Sequence, residues 1–216
     1  MATLLPPLLR TWGFHNLKPS YDSTLSMARQ KAELKALPEQ VDDGHIFYGP
    51  PGTSKSTYCA ALIRANIWKR LEYFMRPDYC ARPLSAIIIL DGFRLFQQEQ
   101  DYATADDKSK LKRDITPEKI DFICSKGVRP LIVLEELDKR KITEFAANVL
   151  FKLMDKLDQV RAQLIITTNL APQAFRDLFL KSDIGSVRVA GEALLRRVDK
   201  LCNQKHDYFS KGEGKD

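Results

Sequence analysis

Cysteine, histidine and long apolar runs are all scarce in this chain, and each scarcity removes a class of protein. The 216 residues include four cysteines, Cys59, Cys80, Cys124 and Cys202, widely spaced and without a Cys-x-x-Cys pair. That pattern argues against a zinc site and against a disulfide framework. The three histidines, His15, His45 and His206, stand far apart and read as ordinary surface or core residues rather than ligands. No apolar run is long enough to cross a bilayer, and residues 1–10 lack the layout of a signal peptide, so a cytoplasmic location is expected. The excess of positive charge is modest: a formal +6 permits contact with nucleic acid without requiring it. Much of it lies in residues 108–113, residues 139–141 and the tail after Lys205, and a solvated face explains such patches as readily as a DNA path.

What remains is ordinary in bulk and specific in one place. An apolar share of 44% and a charged share of 29% suit a globular chain, and the length suits one α/β domain with extensions. The specific place is Gly49, Pro50, Pro51, Gly52, Thr53, Ser54, Lys55, Ser56 and Thr57. A glycine-rich loop between a strand and a helix directs backbone N–H groups, the helix N-terminus and the Lys55 ammonium into one small volume, a cradle for phosphates. Ser56 offers a hydroxyl to a magnesium ion on those phosphates.

The apolar patterning organises the chain around that loop. Residues 1–43 read as a lead-in broken by Pro6, Pro7, Pro19 and Pro38, packing on the core. A helix is expected over residues 23–37, with Trp12 and Phe14 near the adenine. Residues 44–209 form the nucleotide-binding domain and 210–216 a flexible tail. Strands are expected at His45–Tyr48, 84–90, 129–134, Gln163–Thr168 and 206–209, the second as a run buried on both faces. Helices are expected over 56–70, 115–126 with Thr116 as N-cap and Ile115 stapled to Ile120, 142–157, a short stretch from Pro172, and 192–203. Residues 93–114 read as a mobile insertion or partner-binding loop, with a charged surface helix as the alternative. Alternation of strands and helices predicts a parallel sheet between helical layers, with ligands at the carboxyl ends of the strands.

That rule gathers distant residues at one rim. Lys55 is expected to bridge the β- and γ-phosphates, and Ser56 to ligate magnesium, with Glu135 reaching the metal directly or through water. Glu136 is the choice for polarising the attacking water, and Asn169 for holding that water or the γ-phosphate.

The order of these motifs resembles the AAA+ ATPases, and within them the DnaC/IstB-like helicase loaders, over roughly residues 10–209. Residues 49–56 look like Walker A, 131–137 like Walker B and 165–170 like sensor 1. Residues 191–198 are similar to the segment carrying the arginine finger. The resemblance implies a five-stranded α/β P-loop fold in three layers, without a C-terminal helical lid. It also implies ATP and Mg2+ as cofactors, self-association with nucleotide at the subunit boundary, and Arg197, then Arg196, acting on ATP held by a neighbour. DNA and a replicative helicase are the implied partners, and loading or remodelling that helicase the implied function. Two positions depart from the pattern. Ser54 replaces a glycine and costs about 1–2 kcal/mol if φ is positive there, so Ser54→Gly is expected to raise nucleotide affinity or turnover. Glu135 stands where aspartate is usual, which favours a water-mediated metal contact. Three other readings stay open: an IstB-like transposition regulator on duplex DNA, a superfamily-three viral helicase, and an interaction module that binds nucleotide without hydrolysing it. Against the viral helicase stand the roughly eighty residues between phosphate loop and acidic pair.

Overall fold

The computed structural model describes residues 35–53, 55–74, 86–106, 113–139, 142–182 and 185–209. The expectations for Trp12, Phe14, most of the 23–37 helix, the side and backbone of Ser54, and the 210–216 tail lie outside them. Five strands form one parallel sheet: β1 (His45–Tyr48), β2 (Ile87–Asp91), β3 (Leu131–Glu135), β4 (Gln163–Thr168) and β5 (Gln204–Asp207). Their spatial order is β2-β3-β4-β1-β5, so β1 is flanked by β4 and β5. Among the described residues six α-helices connect or follow them: α1 (Lys55–Phe74), α2 (Gly92–Thr104), α3 (Pro117–Ser125), α4 (Glu144–Gln159), α5 (Pro172–Leu180) and α6 (Gly185–Leu201).

The period-two alternation of the strands divides the core into two faces. Phe47, Leu131, Val133 and Ile165 point to the side covered by Tyr58, Cys59, Leu62, Ile63 and Ile67 of α1. Ile46, Tyr48, Ile132, Leu134, Leu164 and Ile166 point to the other, under α4, α5 and α6. That second face takes Leu150, Leu153, Met154 and Leu157 from α4, and Leu194, Leu195 and Val198 from α6. The result is the expected three-layer α/β sandwich. Leu37 and Val41 of the lead-in are buried in the α1 layer.

Local grammar explains the helix starts. Thr116 accepts from the Lys119 amide and Pro117 opens α3, as expected, while Ile115 and Ile120 are both buried in one cluster. Thr143 caps α4 through the Ala146 amide, and Asp91 caps α2 through the Phe93 and Arg94 amides. Each such cap contributes about 1 kcal/mol. The Asp91 cap corrects the loop reading of residues 93–114: their first half is helix, because a strand-ending aspartate satisfies the orphan amides and Leu95 and Phe96 are buried beneath it. The far side is tied back by Arg94 to Asp114 at 2.8 Å and by Arg113, which pairs with Glu99 at 3.1 Å and covers the Tyr102 ring. Helix α6 also begins seven residues before the expected 192, because Val187 and Gly191 already pack inward. At Gly191 an added Cβ would fall 2.9 Å from Phe179 of α5.

Candidate nucleotide-binding site

The carboxyl ends of β1, β4 and β3 bring the phosphate loop, Asn169 and the acidic pair to one rim. Gly49 follows β1 and donates its amide to the Thr168 carbonyl at 3.2 Å. No side chain fits there: a Cβ would lie 2.7 Å from Thr53 Oγ1 and 2.8 Å from Tyr208 Cβ. Gly52 turns the loop with φ +86°, in the left-handed region that glycine adopts without strain. Thr53 closes the turn by donating its hydroxyl to the Pro50 carbonyl at 2.8 Å.

Lys55 lies inside this turn, only 7% exposed. Its ammonium donates to the Gly49 carbonyl at 2.6 Å, the Pro50 carbonyl at 2.9 Å and Asn169 Oδ1 at 3.1 Å. Three protons meet three acceptors, which is what a cation removed from water requires. Burial pushes the Lys55 ammonium below the usual lysine value, and the carboxylates of Asp138 and Glu136 oppose that push. Ser56 is exposed on the first turn of α1, and Thr57 beside it is half-buried.

On the other side of the rim, Glu135 ends β3 in register with Asp91 of β2, so two carboxylate-bearing positions are adjacent there. Glu136 then takes φ +54°, a conformation that costs a non-glycine residue of order 1–3 kcal/mol. It is held by its amide, which donates to the Thr167 carbonyl at 2.9 Å and lies 3.3 Å from the Thr167 hydroxyl. Asp138 completes the rim: its Oδ1 accepts from the Thr168 hydroxyl at 2.8 Å and the Asn169 amide at 2.9 Å. Sequence reasoning passed over Asp138, although it stands three residues beyond Glu135, where the turn after β3 faces the end of β4.

The paired arginines lie apart from the loop, on α6 where it packs against α4. Arg197 pairs with Asp155 through Nε at 3.0 Å and a terminal nitrogen at 2.6 Å, and stacks on Phe151 at 4.8 Å. Arg196 is exposed, its Nε 3.4 Å from the carbonyl of Glu192. His45 and His206, far apart in sequence, are brought together across β1 and β5 as buried residues: His45 Nδ1 and His206 Nε2 are 3.1 Å apart. His45 Nε2 donates to the Gln40 carbonyl at 2.9 Å, which leaves Nδ1 to accept from His206. A cavity of about 670 Å3 lies between α2, α3 and α4, floored by Leu95, Ile115, Ile120 and Leu153, and none of its lining belongs to the rim.

The rim fits a nucleoside triphosphate by the chemistry of its donors: a backbone turn with no room for a side chain at its base, a buried ammonium and an exposed hydroxyl on the first turn of a helix. Among the described residues no group of three or more His, Cys, Asp or Glu is arranged to hold a metal ion. A magnesium ion held by Ser56 and Glu135 would take its remaining ligands from phosphate oxygens and water.

Fold and site together show a five-stranded parallel α/β sandwich with a glycine-rich loop running from β1 into α1. No protein-family model matches the sequence, and no curated protein is similar to it in sequence. Solved structures are similar in fold. One is the DnaC helicase loader, at 16% identity and TM-score 0.57, covering 90% of this chain and 95% of that one. DnaI aligns at 13% identity and TM-score 0.60, over 94% and 91% of the two chains. AMPPCP-bound DnaA from Aquifex aeolicus aligns at 13% identity and TM-score 0.52, over 88% of this chain and 47% of that one. Likeness at these identities establishes the fold. No helix among the described residues is long and apolar enough to cross a membrane.

Proposed function

We propose that this chain is an ATP-dependent AAA+ switch that assembles with nucleotide and loads or remodels a replicative helicase on DNA. The observation that carries the proposal is the convergence of Lys55 and Asn169, 114 residues apart, at 3.1 Å beside the strained Glu136. The fold likeness to a helicase loader supports the choice of cellular role.

In this reading Gly49–Thr57, including Ser54, hold the phosphates, and Ser56 and Glu135 hold magnesium. Bound magnesium neutralises phosphate charge. Glu136 orients and deprotonates the attacking water, and Asn169 holds that water or the terminal phosphate alongside Lys55. Of the two arginines, Arg196 has the more exposed guanidinium for reaching ATP on a neighbouring subunit. Arg197 first serves to register α6 on α4 through Asp155, and reaches the neighbour only by releasing it. The apolar cavity beside α2 is the candidate partner surface on the 93–114 segment.

Phosphate release by the purified chain, together with its mass in solution with and without MgATP, tests the proposal. Turnover and ATP-dependent assembly are the expected results. Tight binding without either outcome favours the non-hydrolysing module. ATP-dependent filaments on duplex DNA, with no preference for single strands, favour the transposition regulator.

A further inference from the structure

Asp138, on the turn Leu137–Lys139, faces the end of β4, where the Thr168 carbonyl in turn takes the Gly49 amide at the start of the phosphate loop. Thr168 is fully buried, and its Oγ1 accepts from the Leu170 amide at 3.2 Å. Its single proton is thereby directed to Asp138 Oδ1, at 2.8 Å. The same oxygen takes the Asn169 amide at 2.9 Å. Asn169 lies one residue past the ladder: β4 pairs with β1 as far as Tyr48↔Thr168 and with β3 as far as Leu134↔Ile166. Its direction is therefore set by Asp138 rather than by the sheet. From there its side chain reaches the Lys55 ammonium at 3.1 Å.

The geometry points to Asp138 as a positioning residue that fixes Asn169, so that Asn169 and Lys55 address the same phosphoryl oxygen. The inference rests on the ATPase reading for its catalytic consequence, but its structural content stands without nucleotide. An ionised acceptor for two donors of adjacent residues is stronger than a neutral one and restricts the backbone at the place where the strand would otherwise fray. Asp138 also supplies negative charge near Lys55, which favours the cationic form that phosphate binding needs.

The test compares the full-length wild type with Asp138→Ala, Asp138→Asn, Asn169→Ala and the double variant Asp138→Ala/Asn169→Ala. Without nucleotide, amide hydrogen exchange at Asn169 is expected to accelerate tenfold or more in Asp138→Ala, with the Ile165 and Ile166 amides unchanged. Asp138→Asn, which retains one carbonyl acceptor, falls between. With MgATP, Asp138→Ala is expected to lower kcat tenfold or more with KM within twofold. The double variant is expected to be no slower than Asn169→Ala, because one removes what the other positions. Unchanged exchange at Asn169, or rate losses that multiply in the double variant, would overturn the inference. If Asp138→Ala does not fold, Asp138→Asn carries both comparisons at smaller amplitude. A wild type without turnover removes the ATPase reading, and the exchange result then decides the positioning claim by itself.

Discussion

The two ends of the same sheet are built to opposite purposes. At the amino end the polar groups are used up in holding the chain together. Gln163, 1% exposed, donates to the carbonyls of Val41 at 2.6 Å and Asp43 at 2.7 Å. Asn66 donates to Val41, Arg129 to Asp42, and the Asp43 carboxylate accepts from Asn203 and Gln204. These bonds tie the lead-in, α1, β4 and β5 into one knot, and Arg161 beside it takes φ +51° in the turn that leads into β4. At the carboxyl end the backbone is bent into positive φ at Gly52 and Glu136, a lysine is buried, and carboxylates gather on adjacent strands. Positive φ therefore occurs at both ends, and what sets the carboxyl end apart is a buried ammonium under the influence of the Asp138 and Glu136 carboxylates.

Substitutions at the two ends should therefore separate stability from turnover. The largest effect is expected at Glu136→Gln: phosphate release falls about 10²–10⁴-fold, the range for a general base, while nucleotide still binds and thermal stability is retained. Equal loss of binding would make Glu136 a structural residue. At the other end, Gln163→Leu removes the donor to the part-buried Asp43 carbonyl and one of the two donors to the Val41 carbonyl, and is expected to cost about 1–3 kcal/mol in chemical denaturation, with the affinity for MgATP unchanged. A change in affinity there would erase the contrast.

Smaller effects sharpen it. The Arg197–Asp155 pair is partly exposed, so Arg197→Ala is expected to cost about 1 kcal/mol or less, the share lost with Phe151 stacking included, whereas Arg196→Ala leaves stability unchanged. If instead both variants lose ATP-dependent assembly equally, the division of roles between them is wrong. Smallest is a pH effect from the buried end of β1. Burial holds His45 below the usual histidine value of 6.5, against the Gln40 hydrogen bond and the nearby Asp43 charge. Below pH 6.5 the unfolded chain binds a proton that the folded chain resists, so stability falls as pH falls through 6.5 and levels off below the folded value. His45→Gln is expected to flatten that slope in thermal melts between pH 5 and 7. Asp43, also held below its ordinary value, acts in a lower range.

The sheet and the rim were legible in the sequence for different reasons. Buried parallel strands are nearly continuous apolar runs, so β1 and β4 fall at His45–Tyr48 and Gln163–Thr168, where the pattern puts them. The loop stood out as glycines, a lysine and a serine at fixed spacing, and its expected place between a strand and a helix is where the structure has it. The 93–114 segment was read first as a loop, with a helix as the alternative, because its polar composition hides a helix that buries Gly92, Leu95 and Phe96 behind the Asp91 cap. The His45–His206 pair and the Asp138–Asn169 bond join residues 161 and 31 positions apart. Neither leaves a periodic trace, since each depends on which strands become neighbours. Asp138 had a weak signal in its spacing from Glu135; the histidines had none.

The central claim is that the carboxyl end of the sheet binds nucleotide phosphate through Lys55. Titration of MgATP into the wild type and Lys55→Ala by calorimetry tests it most directly, with thermal melts confirming that both are folded. Saturable binding by the wild type, lost by a hundredfold or more in Lys55→Ala as expected when the ammonium that anchors the phosphates is removed, agrees with the account. Equal affinity in the two folded proteins, or no binding by the wild type, contradicts it.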